Sequence, residues 1–168
     1  MIDAAERKGV RLEVVFFDES TRTAEDAARA VGAEVGQIVK SLVFVADNSD
    51  GPEPCLVLAS GANKVDLALL AAVLTEPHMR RATADEAREL TGFAIGGIPP
   101  FGHPQQLRTV MDPDLGRYPL VWAAAGTPHG VFSLTPATLR VLSNAVVTQI
   151  AAVQSPSSPR AAGASSSA

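Results

Sequence analysis

Ile38-Val39-Lys40-Ser41-Leu42-Val43-Phe44-Val45-Ala46, followed by the polar stretch Asp47 to Pro54 and then by Cys55-Leu56-Val57-Leu58-Ala59, is the part of the sequence that decides the fold. Two apolar, β-branched runs flank a segment of Asp, Asn, Ser, Gly and Pro, which predicts two antiparallel strands joined by a hairpin loop. Strands at hairpin spacing favour a mixed sheet over a doubly wound parallel one, whose returns need helical crossovers. Lys40 and Ser41 interrupt the first run. Alternation along a strand puts Lys40 on the face of Leu42 and Phe44, and Ser41 on the face of Val39 and Val43. An unpaired buried ammonium is costly, so Lys40 must reach solvent, find a partner or point into a polar cleft. The run alone does not choose among the three.

Toward the N-terminus, Ile2 to Lys8 predicts a short amphipathic helix ended by Gly9, and Arg11 to Phe17 a strand. Thr23 is placed to cap a helix from Ala24 to Val31, with Glu25 and Asp26 at its positive end and Gly32 closing it. Toward the C-terminus, Asp66 caps a helix from Leu67 to about Leu74, and Thr83-Ala84-Asp85-Glu86 is a capping box for a second helix that ends near Gly92. Strands are expected at Leu107 to Met111, Leu120 to Ala125, Gly130 to Leu134 and Val146 to Ile150, with a helix from Pro136 through Leu142. This is one α/β (α+β) domain over residues 1–152, a mixed sheet flanked by short helices. Residues 153–168, rich in Ser, Ala and Pro, predict a disordered tail.

Composition narrows the functional classes. Hydrophobic residues at 46% and charged residues at 19% suit a packed domain rather than a disordered chain. A net charge of −4 argues against coating DNA or RNA through bulk electrostatics, while leaving room for a local basic patch that touches one end of an RNA. The apolar runs are too short to span a bilayer, and the charged N-terminus has no signal-peptide core, so a cytoplasmic protein with no membrane partner is expected. One cysteine, Cys55, forms no internal disulfide and fits a reducing compartment. His78, His103 and His129 fall in separate segments without metal-ligand spacing.

Three loops could carry chemistry. Gly96-Gly97-Ile98-Pro99-Pro100-Phe101-Gly102-His103 packs three glycines and two prolines between a helix and a strand, giving a stiff loop that can aim main-chain N–H groups at a ligand. Such loops also serve as plain turns. Gly126-Thr127-Pro128-His129-Gly130 lies between two strands, where His129 could position a substrate or do nothing. Gly61-Ala62-Asn63-Lys64 follows a strand, with Lys64 and Arg80 or Arg81 able to meet phosphate. Neither a dinucleotide-binding nor a P-loop motif is present, no serine sits in a nucleophile elbow, and Cys55 reads as an inert mid-strand thiol. An enzyme built this way works by positioning and backbone donors.

Taken together and in order, Gln37 to Phe44, Thr91 to Gly102, Gly126-Thr127-Pro128-His129 and Leu134-Thr135-Pro136 resemble the YbaK/EbsC family, free-standing relatives of the editing domain of bacterial prolyl-tRNA synthetases. The similarity runs from about Val14 to Ile150. It implies a barrel-like mixed sheet and hydrolysis, without metal or other cofactor, of the ester joining a wrong amino acid to a tRNA 3′ end. Alanine, cysteine, serine and threonine are the expected cargo, with tRNA(Pro) a candidate carrier and a synthetase a candidate partner. It further implies that Lys40 contacts the acceptor end and that Gly96, Gly97 and Gly102 set the loop against the aminoacyl carbonyl. Ser41, Ile98, Pro99, Pro100, Phe101, Lys64 and His129 fall around the substrate. The alternative is a non-catalytic module that binds a small amino acid or an aminoacylated tRNA end; a metal- or cysteine-dependent hydrolase has little support.

Overall fold

The computed structural model describes residues 1–152, so the expected tail lies outside the described residues. The hairpin is present as β2 (Val39–Asn48) and β3 (Gly51–Ser60), paired without a break from Val39↔Ser60 to Asn48↔Gly51. Its turn is tighter than the polar segment suggests, because Gly51 takes φ 114° and only Ser49 and Asp50 lie between the strands. Pro52 and Pro54 fit within β3 because the next strand, β5 (Arg108–Met111), pairs only with Cys55 to Leu58. The proline end of β3 therefore keeps a free edge.

β5 joins β3 in parallel and carries β8 (Val146–Val147), also in parallel, while β4 (Arg80–Arg81) pairs antiparallel to the other side of β2. The result is a five-stranded mixed sheet in the order β4-β2-β3-β5-β8. β1 (Val14–Phe16), β7 (Gly130–Leu134) and β6 (Val121–Ala124) form a separate antiparallel sheet in the order β1-β7-β6. The mixed α/β domain is thus built from two sheets rather than one closed cylinder, joined where Ile38 bridges Trp122 in parallel. β4 is too short for any periodicity to announce it. β1 and β8 are shorter than the apolar runs that contain them, and Val65↔Ala151 is all that continues the last one.

The packing explains why the hairpin runs read as continuous apolar sequence. Val39, Val43, Val45, Leu56 and Leu58 face Val121, Ala123, Phe132 and Leu134 of the other sheet. The opposite face, with Phe44, Ala46, Cys55 and Val57, packs on Leu70 and Leu74 of α3 (Leu67–Leu74) and on Ile150. A strand buried on both faces has no polar face to show, and each fully buried leucine contributes roughly 1.5–3 kcal/mol. α1 (Ile2–Arg7), α2 (Ala24–Val31), α4 (Ala84–Thr91) and α5 (Pro136–Ser143) complete the domain. Thr23, Asp66, Thr83 and Thr135 cap their helices by accepting from the amides of Asp26, Leu69, Glu86 and Thr138.

One consequence of this topology creates the site. β4 pairs with β2 only at Phe44 and Val45, with the Ala82 amide donating to the Val43 carbonyl, and β6 is bridged to this side of the hairpin at Ile38↔Trp122. Between these two points the outer edge of β2 around Lys40 and Ser41 pairs with no strand among the described residues.

Candidate functional site

The open edge of β2 forms one wall of a cleft of about 320 Å³. The approach to α2 (Thr21 to Glu25), Gly96 and Ile98, Arg81, and the sheet residues Trp122, Ala124 and Val131 form the rest. α2 lies there because Ala27, Ala28 and Val31 pack with Ile38 and Trp122, and because the Thr21 amide and hydroxyl donate to the Pro128 carbonyl at 2.6 and 2.8 Å. Those bonds tie the approach to α2 onto the Gly126–Gly130 loop.

Lys40 lies on the β2 face predicted for it and lines the cleft, with its ammonium donating to the main-chain carbonyl of Asn63. Burial holds the Lys40 ammonium below the ordinary lysine range; Glu25 and Asp112 attract the charge, while Arg81 and Lys64 repel it. Since the folded pKa is the lower one, the charged lysine costs stability at neutral pH, and the cost fades as pH rises through the folded pKa toward 10.5. Lys40→Met is therefore expected to raise Tm near pH 7 by about 2 °C, a gain that calorimetry should show closing at alkaline pH.

Ser41, on the core-facing side of β2, also lines the cleft, and its hydroxyl is the one buried side-chain oxygen or nitrogen without a partner among the described residues. An unmade bond of that kind costs roughly 1–3 kcal/mol.

The glycine/proline loop divides in two. Gly96, at φ 93°, and Ile98 reach the cleft. The stem of Arg22 lies over Gly96, 3.2 Å from where a Cβ would stand. Gly97 is buried against the neighbouring loop: its Cβ would stand 2.9 Å from main-chain atoms of Thr127, and its amide donates to the Ala94 carbonyl at 3.0 Å. Pro99, Pro100 and Phe101 are buried, with Phe101 edge-on to Phe132 at 5.8 Å. Gly102 sits against Met1, away from the cleft, and His103 meets the Pro99 carbonyl at 2.8 Å. Gly97→Ala is expected to cost about 2 kcal/mol in urea unfolding, because neither backbone can retreat without moving the other loop.

The sequence model of the aminoacyl-tRNA editing domain matches residues 18–142, the stretch that carries the whole lining of the cleft. The chain belongs to that family. It is 32% identical over 127 residues to YwhH of Bacillus subtilis, an uncharacterized protein, covering 76% of this chain and 78% of that one. EbsC of Enterococcus faecalis, a candidate Cys-tRNA(Pro)/Cys-tRNA(Cys) deacylase, is 25% identical over 134 residues, 80% of each chain. The proline–tRNA ligase of Streptococcus thermophilus is 30% identical over 91 residues, which is 54% of this chain but 14% of that enzyme. A solved candidate trans-editing enzyme for prolyl tRNA synthetase superposes with a TM-score of 0.81 at 50% identity, over 89% of this chain and 93% of that one.

In this editing domain the two arginines proposed to meet phosphate part company. Arg80 is held by Asp47 at 2.6 Å and by Glu86 at 2.8 Å. The same guanidinium, with the Thr83 amide, depresses the Glu86 carboxyl to about 2. Arg81 lines the cleft and makes no ion pair among the described residues, as does Arg22, which no periodic pattern singles out. Lys64 and His129 are exposed and lie outside the cleft lining. His129 contributes its main chain, whose carbonyl accepts from the Phe17 amide at 2.8 Å. Cys55 is buried with its thiol pushed up to about 12 by burial, a state in which it is no nucleophile. No cluster of three metal-binding side chains occurs, and no helix is long and apolar enough to cross a membrane, among the described residues.

Proposed function

We propose that this editing domain is a trans-acting deacylase that hydrolyses the ester of a tRNA mischarged with a small amino acid, alanine, cysteine, serine or threonine, with tRNA(Pro) as carrier. The observation that carries the reading is a partly buried lysine and a stiff glycine/proline loop sharing one cleft. The named activities of EbsC and of the trans-editing structure support the carrier. A volume near 320 Å³ is at the small end of ligand pockets, about 300–1,000 Å³, and suits a small aminoacyl group with its ribose.

In this mechanism Lys40 fixes the acceptor end, and the free amide of Gly96 faces the carbonyl on which negative charge develops. Gly97, Pro99, Pro100, Phe101 and Gly102 hold the loop in shape, while Ile98 packs beside the aminoacyl group. Ser41 sits next to Lys40 with an unspent hydroxyl for the substrate. Arg22 and Arg81 meet phosphates of the CCA end, and Lys64 and His129 stand farther out. Water attacks the ester carbonyl and the ribose oxygen leaves carrying a proton, giving free amino acid and uncharged tRNA; the ester needs less activation than an amide. A synthetase pocket gains only about 1–3 kcal/mol per methylene, so a second hydrolytic sieve has work to do on small amino acids.

The test is a panel of tRNAs charged with alanine, cysteine, serine, threonine or proline. Turnover of one or more of the first four, with Pro-tRNA(Pro) spared, is expected. A non-catalytic binding module is the second reading, favoured by the Ser41 hydroxyl, which bonds to no base among the described residues. Saturable binding with no ester loss anywhere in the panel would select it.

A further inference from the structure

Lysine has a long flexible stem and three donors, so a useful geometry for its ammonium must be imposed from outside. The Asn63 carbonyl takes one of those donors, leaving two for a ligand. What fixes that carbonyl is a chain of bonds running behind the cleft. The Asn63 carboxamide donates one hydrogen to Asp112 at 2.8 Å and the other to Asp114 at 2.7 Å. Reversing the amide would set its oxygen against two carboxylates, so its orientation follows from the chemistry. Asp112 is 1% exposed and also accepts from the Ser60 amide at 3.1 Å and the Asp114 amide at 2.9 Å. Ser60, the last residue of β3, donates its hydroxyl to the Gly36 carbonyl at 2.8 Å. At the front of the loop the Gly61 amide donates to the Ile38 carbonyl at 2.7 Å, and a Cβ on Gly61 would stand 2.3 Å from the Val35 oxygen. The loop is clamped at both ends.

We infer that Asn63, gripped by Asp112 and Asp114, is the positioning residue for the Lys40 ammonium, and that buried Asp112 supplies an attractive charge behind it. Three amide donors satisfy Asp112, none of them a cation, so its charge stays directed at its surroundings. The charged groups acting on Lys40 are Glu25 from α2, Arg81 from β4, Asp112 after β5 and Lys64 from its own loop. The inference rests on Lys40 working in this cleft, and the experiment separates the two.

The chain contains three lysines, Lys8, Lys40 and Lys64, so ¹³C NMR of the lysine ε-carbons can follow each through its titration. In Asp112→Asn the Lys40 midpoint is expected to move further down by about half a pH unit or more, because an attraction is removed. In Asn63→Ala the ammonium is released to solvent and its midpoint moves the other way, toward 10.5. On a mischarged tRNA, Asn63→Ala should lower kcat about tenfold with KM changed less than about twofold, as expected when positioning fails. A Lys40 midpoint in folded Asn63→Ala within about 0.2 unit of wild type overturns the inference; so does the same result in Asp112→Asn. Should Asp112→Asn not fold, Asn63→Ala, altered only in a partly exposed loop, decides alone. If Lys40→Ala deacylates like wild type, the role of Lys40 falls, while the titrations still decide whether Asn63 and Asp112 position it.

Discussion

Lys40→Ala is expected to lower kcat/KM for a mischarged tRNA by about 10²–10³-fold, the usual scale for removing one preorganised electrostatic donor. The Lys40 ammonium is both in the cleft wall and anchored, through the Asn63 carbonyl, to the scaffold. Its loss removes a positive charge from the cleft wall while leaving β2 intact, since β3 pairs along its whole length. Lys40→Arg should not rescue, because a planar guanidinium cannot reproduce a point contact to one carbonyl at the same depth. Initial rates of ester loss, with circular dichroism to confirm that each variant folds, measure both. An unchanged rate in Lys40→Ala would remove the residue from the mechanism.

The second large effect concerns the arginines. Arg22→Ala with Arg81→Ala is expected to raise KM for the charged tRNA about thirtyfold at physiological salt with kcat little changed. It should also flatten the dependence of log KM on log salt by about 1.4, close to 0.7 for each single-strand phosphate that the protein no longer neutralises. Both arginines stand at the cleft without an ion-pair partner among the described residues. Arg80→Ala is the control. Its guanidinium already serves Asp47 and Glu86, so KM should stay at the wild-type value. A salt slope unchanged in the double variant would place the RNA elsewhere.

The hairpin of β2 and β3, the four capped helix starts and the face assigned to Lys40 follow from local chemistry, so they are readable in residues such as Thr83, Asp66 and the Val39–Ala46 run. What is not readable is set by pairings distant in sequence. β4 is defined by its pairing with Phe44 and Val45, and two arginines in a row give no strand signal. The two sheets are joined by an isolated bridge, Ile38↔Trp122, between segments more than eighty residues apart that no single run contains. At the site, Lys40, Ser41, Gly96 and Ile98 line one cleft. The choice of Arg81 over Arg80 depends on where Asp47 and Glu86 fall, and the pairing of Asn63 with Asp112 depends on the β3–β5 register. The fold also distinguishes loop residues that sequence treats alike: Gly96 faces the cleft, Gly97 closes on Thr127 and Gly102 on Met1.

Ester hydrolysis by this protein can be followed in a single-turnover time course. Excess protein is mixed with tRNA(Pro) carrying labelled alanine, cysteine, serine or threonine in turn, and free amino acid and uncharged tRNA are followed. First-order release of at least one of these amino acids is expected, far faster than spontaneous hydrolysis and leaving an intact tRNA able to be charged again. Esters that all decay at the rate seen without protein, although the tRNA is bound, would contradict it.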